Sequence, residues 1–273
     1  MIRFAEERDT SAVRALFDQC FPDESGFNAY FFDRLYRPEQ TLLYEQGNTL
    51  CAMVQMLPYQ LFIGGTEGTA TYIYGACTHP EHRRKHFMAQ LLEASFEEDR
   101  RRGRCASLLI PQEEWLFQFY RPFGYIPVFG LERKIVLQEK APSTEVQPLE
   151  NWCEVNELYT KKTISEPCRI IRSEADWKAQ LALFQSLGAG AFGLYEKDKL
   201  SAYAFVWREK DGYMAQELLA QDARCESLLV QALLRHFGSQ KMAYYTVGSG
   251  QMLGCLKPYQ AAPERGYINL MFN

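Results

Sequence analysis

The sequence predicts an α+β protein of two tandem units, each with mixed, mostly antiparallel strands flanked by helices. Three observations carry this. Apolar runs suited to strands alternate with runs of helical period from Ile2 to about Leu137. A stretch with Pro142, Ser143, Thr144 and Pro148 follows and reads as a linker over 138–150. Residues 151–273 then repeat a worn version of the same order of elements.

Ile2 to Ala5 reads as a first strand. Asp9-Thr10-Ser11 caps a helix whose apolar residues Val13, Leu16, Phe17 and Cys20 share a face. Pro22-Asp23-Glu24-Ser25-Gly26 breaks it, and a second helix with Tyr30, Phe31, Phe32, Leu35 and Tyr36 ends before Pro38. Strands follow at about Thr41 to Glu45, Leu50 to Phe62 and Thr69 to Thr78, separated by Gln46-Gly47-Asn48 and Gly64-Gly65. A long helix from about Arg84 to Arg102 stops at Gly103. A strand from Cys105 to Ile110, a short helix from Glu113 to Tyr120 and two strands to about Leu137 complete the first unit, residues 1–137. In the second unit helices are expected near Asn151 to Thr160, Glu174 to Ser186 and Cys225 to Phe237. Its strands are expected near Ala191 to Tyr195, Ala202 to Trp207, Tyr213 to Leu219, Met242 to Val247 and Tyr267 to Phe272.

Composition narrows the function. The chain has 273 residues and a net charge of −4, so the basic footprint of a general nucleic-acid binder is missing. No apolar run approaches the roughly 20 residues that span a bilayer, and MIRFAEERD lacks the apolar core of a signal peptide, so a cytoplasmic location without membrane partners is expected. The eight cysteines show no C-x-x-C pair and read as reduced thiols. Cys77 stands apart, because His79 is two residues away on one face of a strand and could act as its base. The packed-strand reading is the stronger one.

The most informative stretch is TYIYGACTHPEHRRKHFMAQLL, Thr71 to Leu92. An apolar strand passes through Pro80 into Arg83, Arg84 and Lys85, and then into the helical pattern Phe87, Met88, Leu91, Leu92 and Phe96. The first free N–H groups of that helix sit among three cations, a cradle for a pyrophosphate. A metal site built on His79, His82 and His86 is the rival, but no Cys and no carboxylate pair completes it, so no metal is expected.

Here the sequence resembles the GNAT superfamily of acyl-CoA N-acyltransferases, whose cofactor loop reads roughly V-x-P-x-x-[QR]-x-x-G-x-[GA]. Thr78, Pro80 and Arg83 fall on that pattern, while His86 stands where the family has Gly and Met88 where it has Gly or Ala. A second block, Phe119-Tyr120-Arg121-Pro122-Phe123-Gly124-Tyr125, resembles the family's F-Y-x-x-x-G-[FY]. Two such units in tandem, the first active and the second degenerate, resemble the enhanced intracellular survival (Eis) type acetyltransferases, without their sterol-carrier-like third domain.

The resemblance implies acetyl-CoA as cosubstrate and an amine-bearing small molecule or peptide as acceptor. It implies that the backbone of Ala76, Cys77 and Thr78 holds the pantetheine arm and that Arg83, Arg84, Lys85, His86, Phe87, Met88 and Ala89 hold the pyrophosphate. Gly75 would form a bulge in the strand. Tyr120 is the expected general acid for the leaving thiolate, since a phenol is protonated at neutral pH. Glu113, Glu114, Glu24, His79 and the Asn273 carboxylate are candidates for the base. Gln221-Asp222-Ala223-Arg224 has neither the Pro nor the basic turn, so one cofactor site per chain is expected. Two alternatives remain at this point: an inactive acyl-CoA binder with a site eroded by His86 and Met88, and a Fem-like aminoacyl transferase.

Overall fold

The computed structural model describes residues 1–139, 144–210 and 212–270. The chain opens with β1 (Ile2–Phe4), α1 (Thr10–Cys20) and α2 (Phe27–Arg34), and continues through β2 (Thr41–Gln46), β3 (Thr49–Ile63) and β4 (Thr66–Thr78). Next come α3 (Phe87–Arg101), β5 (Ala106–Leu109), α4 (Glu114–Tyr120) and β6 (Ile126–Leu137). The second half holds β7 (Gln147–Pro148), α5 (Trp152–Thr163), β8 (Cys168–Ile171), α6 (Glu174–Ser186), β9 (Gly190–Glu196), β10 (Lys199–Glu209) and β11 (Gly212–Ala220). It ends with α7 (Ala223–His236), β12 (Lys241–Val247) and β13 (Gln251–Pro258).

The strands do not form two separate sheets. Among the described residues they join in one, ordered β1-β2-β3-β4-β5-β13-β6-β12-β11-β10-β9-β7, with β8 attached to β3. The two halves exchange their last strands. β13, from the end of the chain, pairs antiparallel with β5 (Cys255↔Leu109), while β6 crosses over to pair with β12 (Thr246↔Glu132). Each half keeps one parallel pair, β4 with β5 and β11 with β12, next to the exchanged strand. The fold is α+β, as expected, and the exchange ties the halves together through backbone hydrogen bonds.

Helices cover both faces for the reason their apolar spacing gives. Val13, Leu16 and Phe17 of α1, Phe31 and Phe32 of α2, Tyr159 of α5 and Trp177 of α6 are buried in one core on one face. Phe87, Leu91, Leu92 and Phe96 of α3 pack the other face of the first half, and Leu229, Val230, Leu233 and Leu234 of α7 that of the second. α6 starts on a capping box between Ser173 and Asp176.

The last strand expected from Tyr267 onward does not form within the described residues, where Tyr267 makes only a single bridge to Arg169. Its side chain is used differently. Arg172 and Glu217, at 2% and 1% side-chain exposure, pair through 2.7 and 2.8 Å hydrogen bonds. Tyr203 and Tyr267 both donate to Glu217 at 2.8 Å, and Arg172 also donates to the Asn269 carbonyl. Burial of an ion pair requires such satisfaction of every lone pair. The end of the described chain is thereby fastened under β11. Residues 271–273, and with them the Asn273 carboxylate, lie outside the described residues.

Candidate active site

β4 and β5 pair only at Thr71↔Ser107 and Tyr72↔Leu108 and then part, β4 running on to Thr78. Their divergence begins near a bulge. In the β3–β4 ladder Met53 faces Cys77 but Gln55 faces Tyr74, so Gly75 and Ala76 together oppose one residue. Gly75 has φ +56°, and a Cβ on it would lie 2.6 Å from a Phe17 ring carbon. Only glycine fits there. The fully buried Gln55 amide lies beside it, and the described residues offer its side chain no hydrogen-bond partner.

A cavity of about 450 Å³ fills the split. Ile73 to Ala76 of β4 and Leu109 to Gln112 form its walls, with the connector between α1 and α2 on one side and Tyr120 on the other. Trp207, Arg208 and Gln216 of the second half also line it.

The cradle lies at the end of β4. His79 N donates to the Cys51 carbonyl at 2.8 Å, and a 3₁₀ turn over Pro80–His82 leads to the helix. The helix begins later than expected, at Phe87, because Arg84 (φ 62°) and His86 (φ 61°) are left-handed. This corrects the expectation of a helix from Arg84. Gln90 N makes the first helical bond, to the His86 carbonyl, and no side chain caps the helix. The N–H groups of Phe87, Met88 and Ala89 thus point out of the helix end without an intrahelical acceptor. Arg83, Arg84, Lys85 and His86 are exposed around it, and none of the three cations has a carboxylate partner among the described residues. Arg83 Nε donates to the Thr78 carbonyl at 3.3 Å. Free donors, positive charge and the helix dipole fit a pyrophosphate.

Tyr120 is buried at the end of α4, edge-on to Phe119 and Tyr125, and lines the cavity. Burial, and behind it Cys255, pushes its phenol up to about 12. The described residues offer its hydroxyl no partner. Gly124, at φ +86°, ends the turn that follows, and a Cβ there would meet Lys257 Nζ at 2.9 Å. The left-handed φ, more than the movable end of Lys257, is what calls for glycine four residues after Tyr120.

The candidate bases fall elsewhere. Glu113 accepts from Trp115 Nε1 at 2.6 Å and, like Glu114 and Glu24, is exposed and outside the cavity lining. His79 Nδ1 accepts from Glu81 N, and no hydrogen bond joins His79 to Cys77 among the described residues. Cys77 instead meets Cys20, at the end of α1. Burial and this neighbour push the Cys77 thiol up, while Cys77 and then Arg83 hold the Cys20 thiol below its usual range.

Among the described residues Asp23, next to the expected Glu24, is the carboxylate that lines the cavity. Burial works against its charge, yet hydrogen bonds from Ser25 (2.6 Å and 2.9 Å) and Asn28 N (2.9 Å) hold its carboxyl below the usual value. The P-D-E-S-G connector offered two carboxylates, and the Asx turn onto Ser25 was the signal for Asp23. Trp207, Arg208 and Gln216 had no motif to announce them. Among the described residues no group of three His, Cys, Asp or Glu side chains could hold a metal ion.

In the second half the matching helix end is closed. Asp222 caps α7 by accepting from Cys225 N at 2.8 Å, which sets a carboxylate where an anion would bind.

The acetyltransferase (GNAT) domain family matches residues 1–128. No curated protein matches the sequence. Among solved structures, a probable N-acyltransferase from Enterococcus faecalis V583 superposes with TM-score 0.75 at 13% identity, covering 94% of this chain and 71% of the other. Eis1 from Mycobacterium abscessus gives 0.62 at 14%, covering 96% and 67%. A Saccharomyces cerevisiae N-myristoyltransferase with bound myristoyl-CoA gives 0.61 at 12%, covering 96% and 80%. Residues 1–128, with their bulged β4, split strands and open helix end, thus match the acetyltransferase (GNAT) domain family, and in fold the chain resembles Eis1 from Mycobacterium abscessus.

Proposed function

We propose that the protein moves an acetyl group from acetyl-CoA directly to a primary amine of a small molecule or peptide. The observation that carries this is the cavity between the parting strands β4 and β5, which is lined by Gly75 and Ala76 of the bulge and has Tyr120 in its wall. The thioester supplies an activated acyl group, and the protein supplies position and protons.

In this reading the N–H groups of Phe87, Met88 and Ala89, with Arg83, Arg84, Lys85 and His86, hold the pyrophosphate. The backbone of Ala76, Cys77 and Thr78 aligns the pantetheine arm along β4, where the bulge frees backbone groups from the ladder. An N–H there faces the carbonyl oxygen as charge develops. Tyr120, kept protonated by burial, donates to the departing thiolate. The lining carboxylate, Asp23, is a weak base because its charge is already stabilised, so the amine enters neutral or loses its proton to water. Residues 1–137 form the acyl-CoA unit and 151–273 a second unit without a cofactor site, in keeping with the Asp222 cap.

The left-handed His86 favours one other reading, a protein that binds acyl-CoA without turnover. A cytoplasmic setting suits eight free cysteines. No described helix is long and apolar enough to cross a membrane.

Calorimetric titration with CoA tests the assignment. One CoA should bind per chain and raise the melting temperature. A folded protein whose melting temperature ignores saturating CoA overturns it, and a stoichiometry near two overturns the single site.

A further inference from the structure

A second cavity of about 250 Å³ lies where the exchanged strands cross. Leu131 of β6, Leu253 of β13, Met214 of β11 and Tyr245 of β12 line it, so its walls exist only because β6 and β13 change places. Trp207 and Gln216 line this chamber and the main cavity alike, so the two spaces adjoin at these side chains. Polar atoms at this junction are already hydrogen-bonded. Trp207 Nε1 donates to Gln216 Oε1 at 2.6 Å, Gln216 Nε2 donates to the Leu270 carbonyl at 2.7 Å, and Asn269 Nδ2 donates to the Gln216 carbonyl. What remains is an indole face with aliphatic and phenolic surface, beside the exposed Gln251 side chain.

Charge in the two spaces favours the same kind of occupant. Among the described residues no carboxylate and no cation lines the chamber. In the main cavity Asp23 is engaged by Ser25 and Asn28, and the exposed Arg208, next to Trp207 in sequence, adds positive charge. A polycation would meet one occupied carboxylate and one guanidinium. An apolar ring would meet surface that gains by losing water. An engineered apolar cavity of about 150 Å³ takes benzene, so this chamber has room for a phenyl or indole group.

We propose that the acceptor is a primary amine bearing one aromatic or branched apolar group, which seats in the chamber behind Trp207 while the amine lies in the main cavity. The inference rests on the acyltransfer reading. It names the class of acceptor and assigns its selection to the second half of the chain.

Free-thiol release from acetyl-CoA is measured with phenethylamine, tryptamine, ethylamine, spermidine and kanamycin. The aromatic amines should exceed ethylamine and both polycations in kcat/KM by at least about tenfold, the scale on which apolar pockets discriminate. Met214→Phe and Leu253→Phe, at two partly exposed positions, narrow the chamber. Either should lower the phenethylamine-to-ethylamine ratio about tenfold and leave the CoA-induced melting shift as in the wild type. Preference for spermidine or kanamycin, or a ratio untouched in two folded variants, overturns the proposal. If no amine releases thiol, calorimetric binding of phenethylamine to the CoA-loaded protein decides. Binding weakened about tenfold by Met214→Phe upholds the chamber and removes only the transfer reading, whereas absent binding, or binding equal in wild type and variant, overturns the chamber itself.

Discussion

Gly75 and Phe17 are in mutual contact across the β4 bulge: a Cβ on Gly75 would lie 2.6 Å from Phe17 Cε2. The pair couples α1 to the place where β4 leaves its ladder. Gly75→Ala should destabilise the protein by about 1–3 kcal/mol, through left-handed strain and overpacking together, and weaken CoA binding. Phe17→Leu should absorb part of that cost. In a double-mutant cycle the combined variant should be more stable than the sum of the singles predicts. Strict additivity would show that the contact does not decide the bulge.

Tyr120→Phe removes one oxygen from a ring packed against Phe119 and Tyr125. Turnover should fall by about 10² to 10⁴, with CoA affinity nearly unchanged. The required form is the protonated phenol, and burial moves its loss up to about pH 12. This group therefore gives no falling limb between pH 6 and 9. Near wild-type turnover in the Phe variant, with chemistry shown to be rate-limiting, would reduce Tyr120 to a core aromatic.

His86 occupies a left-handed position at φ 61° with no side-chain cap bond. A non-glycine residue there carries roughly 1–2 kcal/mol of strain, partly offset by the backbone entropy that glycine loses on folding. His86→Gly should raise the melting temperature by about 1–3 °C, whereas His86→Ala should give no gain. CoA should still bind once per chain, because backbone donors make the cradle. Loss of CoA binding in His86→Gly would mean that the imidazole itself is a contact.

Arg172 and Glu217 hold the end of the described chain to β11. Arg172→Met leaves a buried carboxylate with two tyrosine donors and should cost about 3–5 kcal/mol. Arg172→Met combined with Glu217→Leu should recover much of the loss. Limited proteolysis should cut the single variant after Pro258 first. A single variant as stable as wild type would show that the network does not fasten this segment.

Local elements were legible because their signals are local. The helix read from Glu174 to Ser186 has those bounds, and the strand read from Leu50 to Phe62 extends by one residue at each end. The start of α3 was misread by three residues, since nothing in Arg84-Lys85-His86 announces two left-handed residues without glycine. The strand exchange was not legible. β13 lies about 145 residues from β5 in sequence, its segment Gln251–Pro258 contains Gly254 and Pro258, and its pairing leaves no mark on either segment alone. β8, only four residues long, was missed for the same reason. Tyr267 and Ile268 carry strand-like character, but tertiary contacts with Glu217 and the core claim them instead. The cradle and Tyr120 were visible through motif spacing, whereas Asp23, Trp207 and Gln216 reach the cavity only through folding.

The central claim is transfer of an acyl group from a CoA thioester to an amine in the split between β4 and β5. Its most direct measurement follows acetyl-CoA with each amine and peptide N-terminus of a panel, recording free thiol and the mass of the product together. The account predicts thiol and N-acetylated amine in equal amounts with at least one acceptor, abolished in step by Tyr120→Phe. A folded, CoA-binding protein that releases no thiol and acetylates no amine would contradict it.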